Sequence, residues 1–190
     1  MRAYQEDIKI IALQKQFRRL TQSYDLDGRI WIGDTLCDPE PELLFDGKLQ
    51  VYLPTHFSEP SEKSLKEKYP SVNRPQIIKT NEDETVDFTF NHISEKMMPI
   101  TTKSLWEEVA GIFPRNVLYD SGTFTQGGLE VLWLEYKSFS LDLDVYNILF
   151  PILSEHAGTF IGTFTCPYKL YDTWKPCVLE IIKSIKIMEG

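Results

Sequence analysis

The sequence predicts an α+β domain in which an antiparallel sheet is flanked by helices, with an extra helix at the N-terminus. Three observations predict it. Strand-like alternation is clear in mid-chain, where Val86, Phe88 and Phe90 are set against Thr85, Asp87, Thr89 and Asn91. Four strand-length segments then follow one another between residues 116 and 166 with short turns, which favours an antiparallel meander. A strong apolar stripe of Trp174, Val178, Ile181, Ile182 and Ile185 recurs at helical spacing near the C-terminus.

Taken in order, residues 5 to 20 carry Ile8, Ile11, Leu13, Phe17 and Leu20 at near-helical spacing with charges between them, the pattern of an amphipathic helix. A polar stretch follows. Its Asp38-Pro39-Glu40-Pro41 segment lacks amide donors at both prolines and reads as a connector. The expected division is therefore an N-terminal helix and connector over 1–41 and an α+β domain over 42–190. Leu43-Leu44-Phe45 and Leu49 to Leu53 flank Asp46-Gly47, which reads as a two-residue hairpin turn, and Pro54 ends the second strand. Residues 58 to 69 read as a short polar helix with Ser64 and Glu67 at capping-box spacing and Pro70 as its stop.

Gln76 to Lys79 and Thr85 to His92 form the next strand pair, joined by a turn over 81–84. Ser104 to Phe113 reads as a helix, capped by Ser104 and Glu107, with Leu105, Val109 and Ile112 facing inward. The meander strands are 116–125, 129–139, 144–153 and 158–166. The closing helix runs from about Thr173 to Ile187, with Asp172 as N-cap and Pro176 in its first turn.

Composition bounds the function. The chain has 190 residues, 42% apolar and 13% aromatic, enough for a core without disulfides or metals. Twenty-eight acidic residues against 20 basic give a net charge of −8. An acidic surface repels phosphate backbones and anionic bilayers, so neither nucleic acid nor a membrane surface is an expected partner. No apolar run approaches the ~20 residues that span a bilayer. The N-terminal apolar stretch is short and interrupted by charge, unlike a signal peptide. Cys37, Cys166 and Cys177 are odd in number with no CxxC pair, which argues against a disulfide framework or a zinc site and makes a reducing cytosol the expected compartment.

The order of elements, with Tyr52-Leu53-Pro54, Lys68-Tyr69-Pro70, Arg74 to Asn81 leading into Val86 to Phe90, Asp144-Val145-Tyr146-Asn147, Gly158 to Cys166 and Trp174 to Ile187, resembles the PsbP-like α/β/α sandwich. Within it the chain looks most like the DcrB-like bacterial branch, over about residues 42 to 187. Members of this fold are mostly non-enzymatic: photosystem assembly subunits, nucleocytoplasmic transport factors, and chaperones that shield transmembrane segments of secreted effectors. The resemblance implies a binding or assembly role without choosing a partner.

Known catalytic patterns are missing. His56, His92 and His156 lie in different segments without metal-ligand spacing. Asp142 and Asp144 share a strand face but read as a turn, and together with a histidine they support only an alternative hydrolase reading. Cys166 and Cys177 have no neighbouring base and read as buried thiols. Ser121-Gly122 and Gly127-Gly128 fit turns, not nucleotide loops. The reading is accordingly a non-enzymatic protein-binding or chaperone-like adaptor with no cofactor and no metal. Leu129 to Tyr136 is apolar on both alternation sets apart from Glu130 and Glu135, so one face is expected to stay partly open. The residues expected to bind a partner are Trp133, Tyr136, Tyr119, Trp31 and Phe17. The alternative is a structural homo-oligomer, a homodimer among the options, assembled through Ile8, Ile11, Phe17 and Leu20 of the N-terminal helix.

Overall fold

A computed structural model describes residues 30–32, 35–94, 100–126, 129–139, 143–154 and 156–188, with side chains from Asp38 onward. The amphipathic stretch over 5–20, Phe17 and the side chain of Trp31 lie outside the described residues. So does the turn residue Asp142.

Among the described residues the strands are β1 (Ile30–Ile32), β2 (Thr35–Cys37), β3 (Pro39–Leu44), β4 (Leu49–Pro54), β5 (Ile77–Thr80), β6 (Asp87–Ile93), β7 (Val117–Gln126), β8 (Leu129–Phe139), β9 (Asp144–Ser154), β10 (Gly158–Pro167) and β11 (Lys186–Ile187). The helices are α1 (Glu62–Lys68), α2 (Thr102–Ile112) and α3 (Tyr171–Lys183), the last preceded by a 3-10 turn, Tyr168–Leu170. The main sheet has the order β5-β6-β10-β9-β8-β7, all antiparallel. The expected meander is therefore present, and β6 docks on its last strand. A smaller sheet, β11-β4-β3, and the β1-β2 pair complete the strands.

The alternation of β6 sets the layers. Phe88 and Phe90 are fully buried on the face shared with Tyr146, Ile148, Phe150, Ile152, Phe160 and Phe164. That face is covered by α3, through Trp174, Val178, Ile181 and Ile182, and by Leu49, Val51 and Leu53 of the small sheet. Phe57 joins the layers, with ring centroids 5.5 Å from Phe88 and 5.7 Å from Trp174. Lys79 of β5 ties the two sheets by an ion pair to Glu42. On the opposite face, Lys68 (2.9 Å) and Tyr69 (3.0 Å) at the end of α1 both donate to Asp87, and Trp106 of α2 packs on Tyr136.

Several local expectations are corrected. Phe45, Asp46 and Gly47 all have positive φ and form, with Lys48, a four-residue connection rather than a two-residue turn. Pro39 and Pro41 are strand residues of β3. They are tolerated because β3 is the edge of the small sheet, where a missing N–H leaves no ladder bond unmade. Ser61, not Ser64, caps α1, and Glu84 braces that cap by accepting from both the Ser61 amide and hydroxyl. Thr101 and Ser104, not Ser104 and Glu107, form the capping box of α2, and Ile112 is exposed instead of inward. Helix α3 starts at Tyr171, so Asp172 lies inside its first turn, where a carboxylate complements the helix dipole, and is not the N-cap. Pro176 consequently falls in the second turn, where it has no N–H to offer the Asp172 carbonyl.

Strand β9 carries Pro151 in the sheet interior. The β8–β9 ladder pairs Val131 with Ile152 and Leu134 with Leu149 but skips the two positions between, where Pro151 has no amide to donate. Beside that gap β10 places Gly162, whose missing Cβ would lie 2.0 Å from the Phe150 ring. The ring fills the space that a side chain at 162 would need.

Candidate functional site

The expectation that one face of β8 stays open is overturned. Residues 131 to 135 are all buried. Val131 and Trp133 belong to the core beneath α3. Leu132 and Leu134 are buried on the opposite face, the side on which α2 packs. Trp133 is only 8% exposed, stacks on Phe124 at 6.1 Å, and lies against Gly122, where a Cβ would stand 2.8 Å from the indole nitrogen. Tyr136 is an odd number of positions away and so points to the other face, half-buried beside Trp106. Burial pushes its phenol up to about 12. Tyr119 stands in a third place. The structure thus brings none of these three together.

Tyr119 does open onto a cleft of about 440 Å³ between β7, β8 and the start of α3, lined also by Glu135, Tyr168, Tyr171, Asp172 and Lys175. Each element supplies its part for a local reason. Leu118 pairs with Tyr136 and Asp120 with Glu135, which leaves Tyr119 as the extra residue of a β-bulge. A bulge re-aims side chains at a sheet edge, and here the Tyr119 hydroxyl donates to the Tyr168 hydroxyl at 3.1 Å. Pro167 ends β10 and the 3-10 turn puts Tyr168 three residues before Tyr171, so their rings stack at 5.1 Å and 16°. Burial, then the hydrogen bond and charge of Tyr168, push the Tyr119 phenol up to about 12.

The floor of the cleft is charged. Glu135 is 2% exposed and is paired with Lys175 of α3, whose ammonium also lies 3.6 Å from Asp120. Beneath it, the fully buried Tyr146 hydroxyl faces Glu135 without a hydrogen bond of regular geometry. Burial first, and the Glu135 charge second, hold that phenol above its ordinary range. Beside the cleft, the Lys137 ammonium rests 4.2 Å from the centre of the Tyr168 ring and 4.8 Å from that of Phe139, and pairs with Asp144 at 2.6 Å.

Val117 pairs with Lys137, and Phe139 lies two residues further along β8, so these side chains share the cleft's face of the sheet. Val117, Tyr119, Phe139 and neighbouring Leu143 are each between 41% and 48% exposed. Ile112 and Phe113, exposed still further, lead into β7 at the same end. The result is an apolar rim along the edge of the sheet, beside a cleft of tyrosines and carboxylates.

The other candidate groups do not meet. Asp144 is taken up by Lys137. His92 stacks on Phe160 at 4.5 Å, His56 packs on Phe57, and His156 lies exposed in the β9–β10 turn. Cys166 and Cys177 are buried in the core, and burial pushes the Cys166 thiol up to about 12, away from its reactive thiolate form. Among the described residues no three His, Cys, Asp or Glu side chains are grouped to hold a metal ion, and no helix is long and apolar enough to cross a membrane.

Sequence reasoning reached Tyr119 but missed Tyr168, Tyr171, Asp120, Glu135 and Lys175. One signal was present: Glu135 interrupts an otherwise apolar strand, and a lone carboxylate at a core position needs a cation from another element.

No family model matches the sequence, and no curated protein matches it. Solved structures do. The chain is similar to cyanobacterial PsbP (CyanoP) from Synechocystis sp. PCC 6803, with 11% identity and a TM-score of 0.58 over 82% of this chain and 96% of that one. It is also similar to the Ran-binding protein Mog1p of Saccharomyces cerevisiae, with 12% identity and a TM-score of 0.52 over 80% of this chain and 96% of that one. At such identities the likeness shows the fold alone. The chain has the PsbP-like α/β/α sandwich fold.

Proposed function

We propose that this domain is a non-enzymatic protein-binding module that holds an apolar segment of a partner polypeptide, as an adaptor or chaperone does. The observation that carries the reading is the rim of Val117, Tyr119, Phe139 and Leu143, exposed together at one end of the sheet. Contiguous exposed apolar surface marks interaction sites. The rim borders β7, an edge strand that among the described residues pairs only with β8. A free edge and apolar side chains together suit an extended peptide. The reading moves the binding surface away from Trp133 and keeps Tyr119. We read the layout as nearest to the DcrB-like bacterial branch of the fold and the compartment as the cytosol, in keeping with an odd number of cysteines and no CxxC pair. The net charge of −8 speaks for a protein partner over a nucleic acid.

The test is affinity capture with the wild type and with a Phe139→Ser/Leu143→Ser variant. Both side chains are exposed, so the variant keeps its urea midpoint. Loss of the partners captured by the wild type is the expected result. Full capture by a folded variant removes the rim from the account.

A further inference from the structure

Resting on the protein-binding reading above, we propose that the cleft behind Tyr119 seats a basic side chain, arginine or lysine, of the polypeptide bound along the rim. The cleft's volume of about 440 Å³ falls within the range of ~300–1,000 Å³ typical of small-molecule pockets, room enough for one long side chain. Its charge selects the sign. Two carboxylates, Glu135 in the lining and Asp120 beside it, share the one Lys175 ammonium, which both already engage. An anion entering here meets a surplus of negative charge and a cation that is already paired. A cation meets the surplus directly.

The walls suit a cation as well. Tyrosine rings attract ammonium and guanidinium groups through their negative faces. The chain itself demonstrates this next door, where the Lys137 ammonium lies 4.2 Å from the Tyr168 ring centre with the Asp144 carboxylate 2.6 Å away. An incoming basic side chain would find the same combination at Tyr119 and Asp120. Both line the edge strand, and the Asp120 side chain is 55% exposed. A planar guanidinium can stack on the ring and bond the carboxylate at once, which favours arginine over lysine. The cleft opens beside Val117 and Phe139, so a peptide that places apolar residues on the rim brings its neighbouring side chains to the cleft mouth.

The experiment uses the full chain and three dye-labelled, capped hexapeptides in which leucine alternates with arginine, with citrulline or with glutamate. Binding is read by fluorescence anisotropy. Citrulline keeps the shape of arginine without its charge. The arginine peptide is expected to bind about tenfold more tightly than the citrulline peptide, with the glutamate peptide weakest. Tyr119→Leu and Asp120→Asn are each expected to cut the arginine-over-citrulline preference about fivefold, at unaltered urea midpoints. Equal binding of the arginine and citrulline peptides overturns the cation assignment and leaves the rim as the binding surface. An arginine preference that survives both substitutions overturns the location. If no peptide binds while Phe139→Ser/Leu143→Ser still abolishes partner capture, the seat is wrong and the rim stands. If that variant also captures normally, both readings fall.

Discussion

Replacing Lys175 by methionine isolates the energetics of the cleft floor. The substitution keeps most of the apolar stem and removes the charge that pairs with Glu135. The Glu135 side chain is 3% exposed and that of Lys175 26%. Removing one member of a buried ion pair leaves an uncompensated charge in the interior and costs about 3–5 kcal/mol. Water reaches a quarter of the Lys175 side chain, which puts the expected loss at the lower end, about 3 kcal/mol. For a domain of this size that lowers Tm by roughly 6–12 °C. Glu135→Leu costs less, about 1 kcal/mol, because Lys175 keeps Asp120 at 3.6 Å and its access to water. The double variant loses both charges and fills the space, so it should fall within about 1 kcal/mol of the wild type. Urea unfolding of all four proteins closes the cycle, with equal m-values as the check on two-state behaviour. A Lys175→Met variant within about 0.5 kcal/mol of the wild type, with no coupling to Glu135, would refute the reasoning. It would mean that this pair behaves like a surface one.

Other consequences follow from the packing. Gly162→Ala puts a Cβ 2.0 Å from the fully buried Phe150 ring, so it should destabilise by about 1–3 kcal/mol, and Phe150→Leu in the same chain should recover part of that loss in urea unfolding. Trp133→Ala should cost about 3–5 kcal/mol by the same measurement while partner capture by the folded fraction persists; a thermally unchanged variant would show that the indole is not core. Tyr69, Tyr119, Tyr136 and Tyr146 are all held above the ordinary phenol value of 10.0, chiefly by burial. A phenol raised in the native state adds stability that is complete below pH 10 and is lost as pH rises through the native value. Absorbance titration just above pH 10 should find these four phenols still protonated in the native protein and ionising in urea. Simultaneous ionisation of all nine tyrosines at the ordinary value would contradict the burial assigned to these four.

Much of the fold was legible because its strands alternate. Phe88, Phe90 and their neighbours declared a sheet with one heavily apolar face, and the short turns declared the meander. The helix stripe from Trp174 to Ile185 was equally plain. Boundaries were less so. Serine and threonine recur near both α1 and α2, and only the backbone decides which one bonds the first turn, so the caps were placed three residues late. The start of α3 at Tyr171 is hidden because Pro176 fits the first turn of a helix that begins at Thr173 equally well. The site was mostly hidden. Trp133 and Tyr136 were read as one surface although strand parity separates them, and two-sided apolarity in β8 meant cover on both faces. The cleft depends on a bulge at Tyr119 and on a contact between Lys175 and Glu135, 40 residues apart. No local pattern encodes such a pairing.

Photo-crosslinking tests the central claim that partners bind at the rim most directly. A benzophenone amino acid is placed at position 139 on the rim, at position 119 at the cleft mouth, and at position 66 on α1 as an exposed control on a different element. The account predicts covalent adducts with a partner polypeptide from positions 139 and 119 and none from position 66. Adducts from position 66 alone, or from none of the three while the protein still captures its partners, would contradict it.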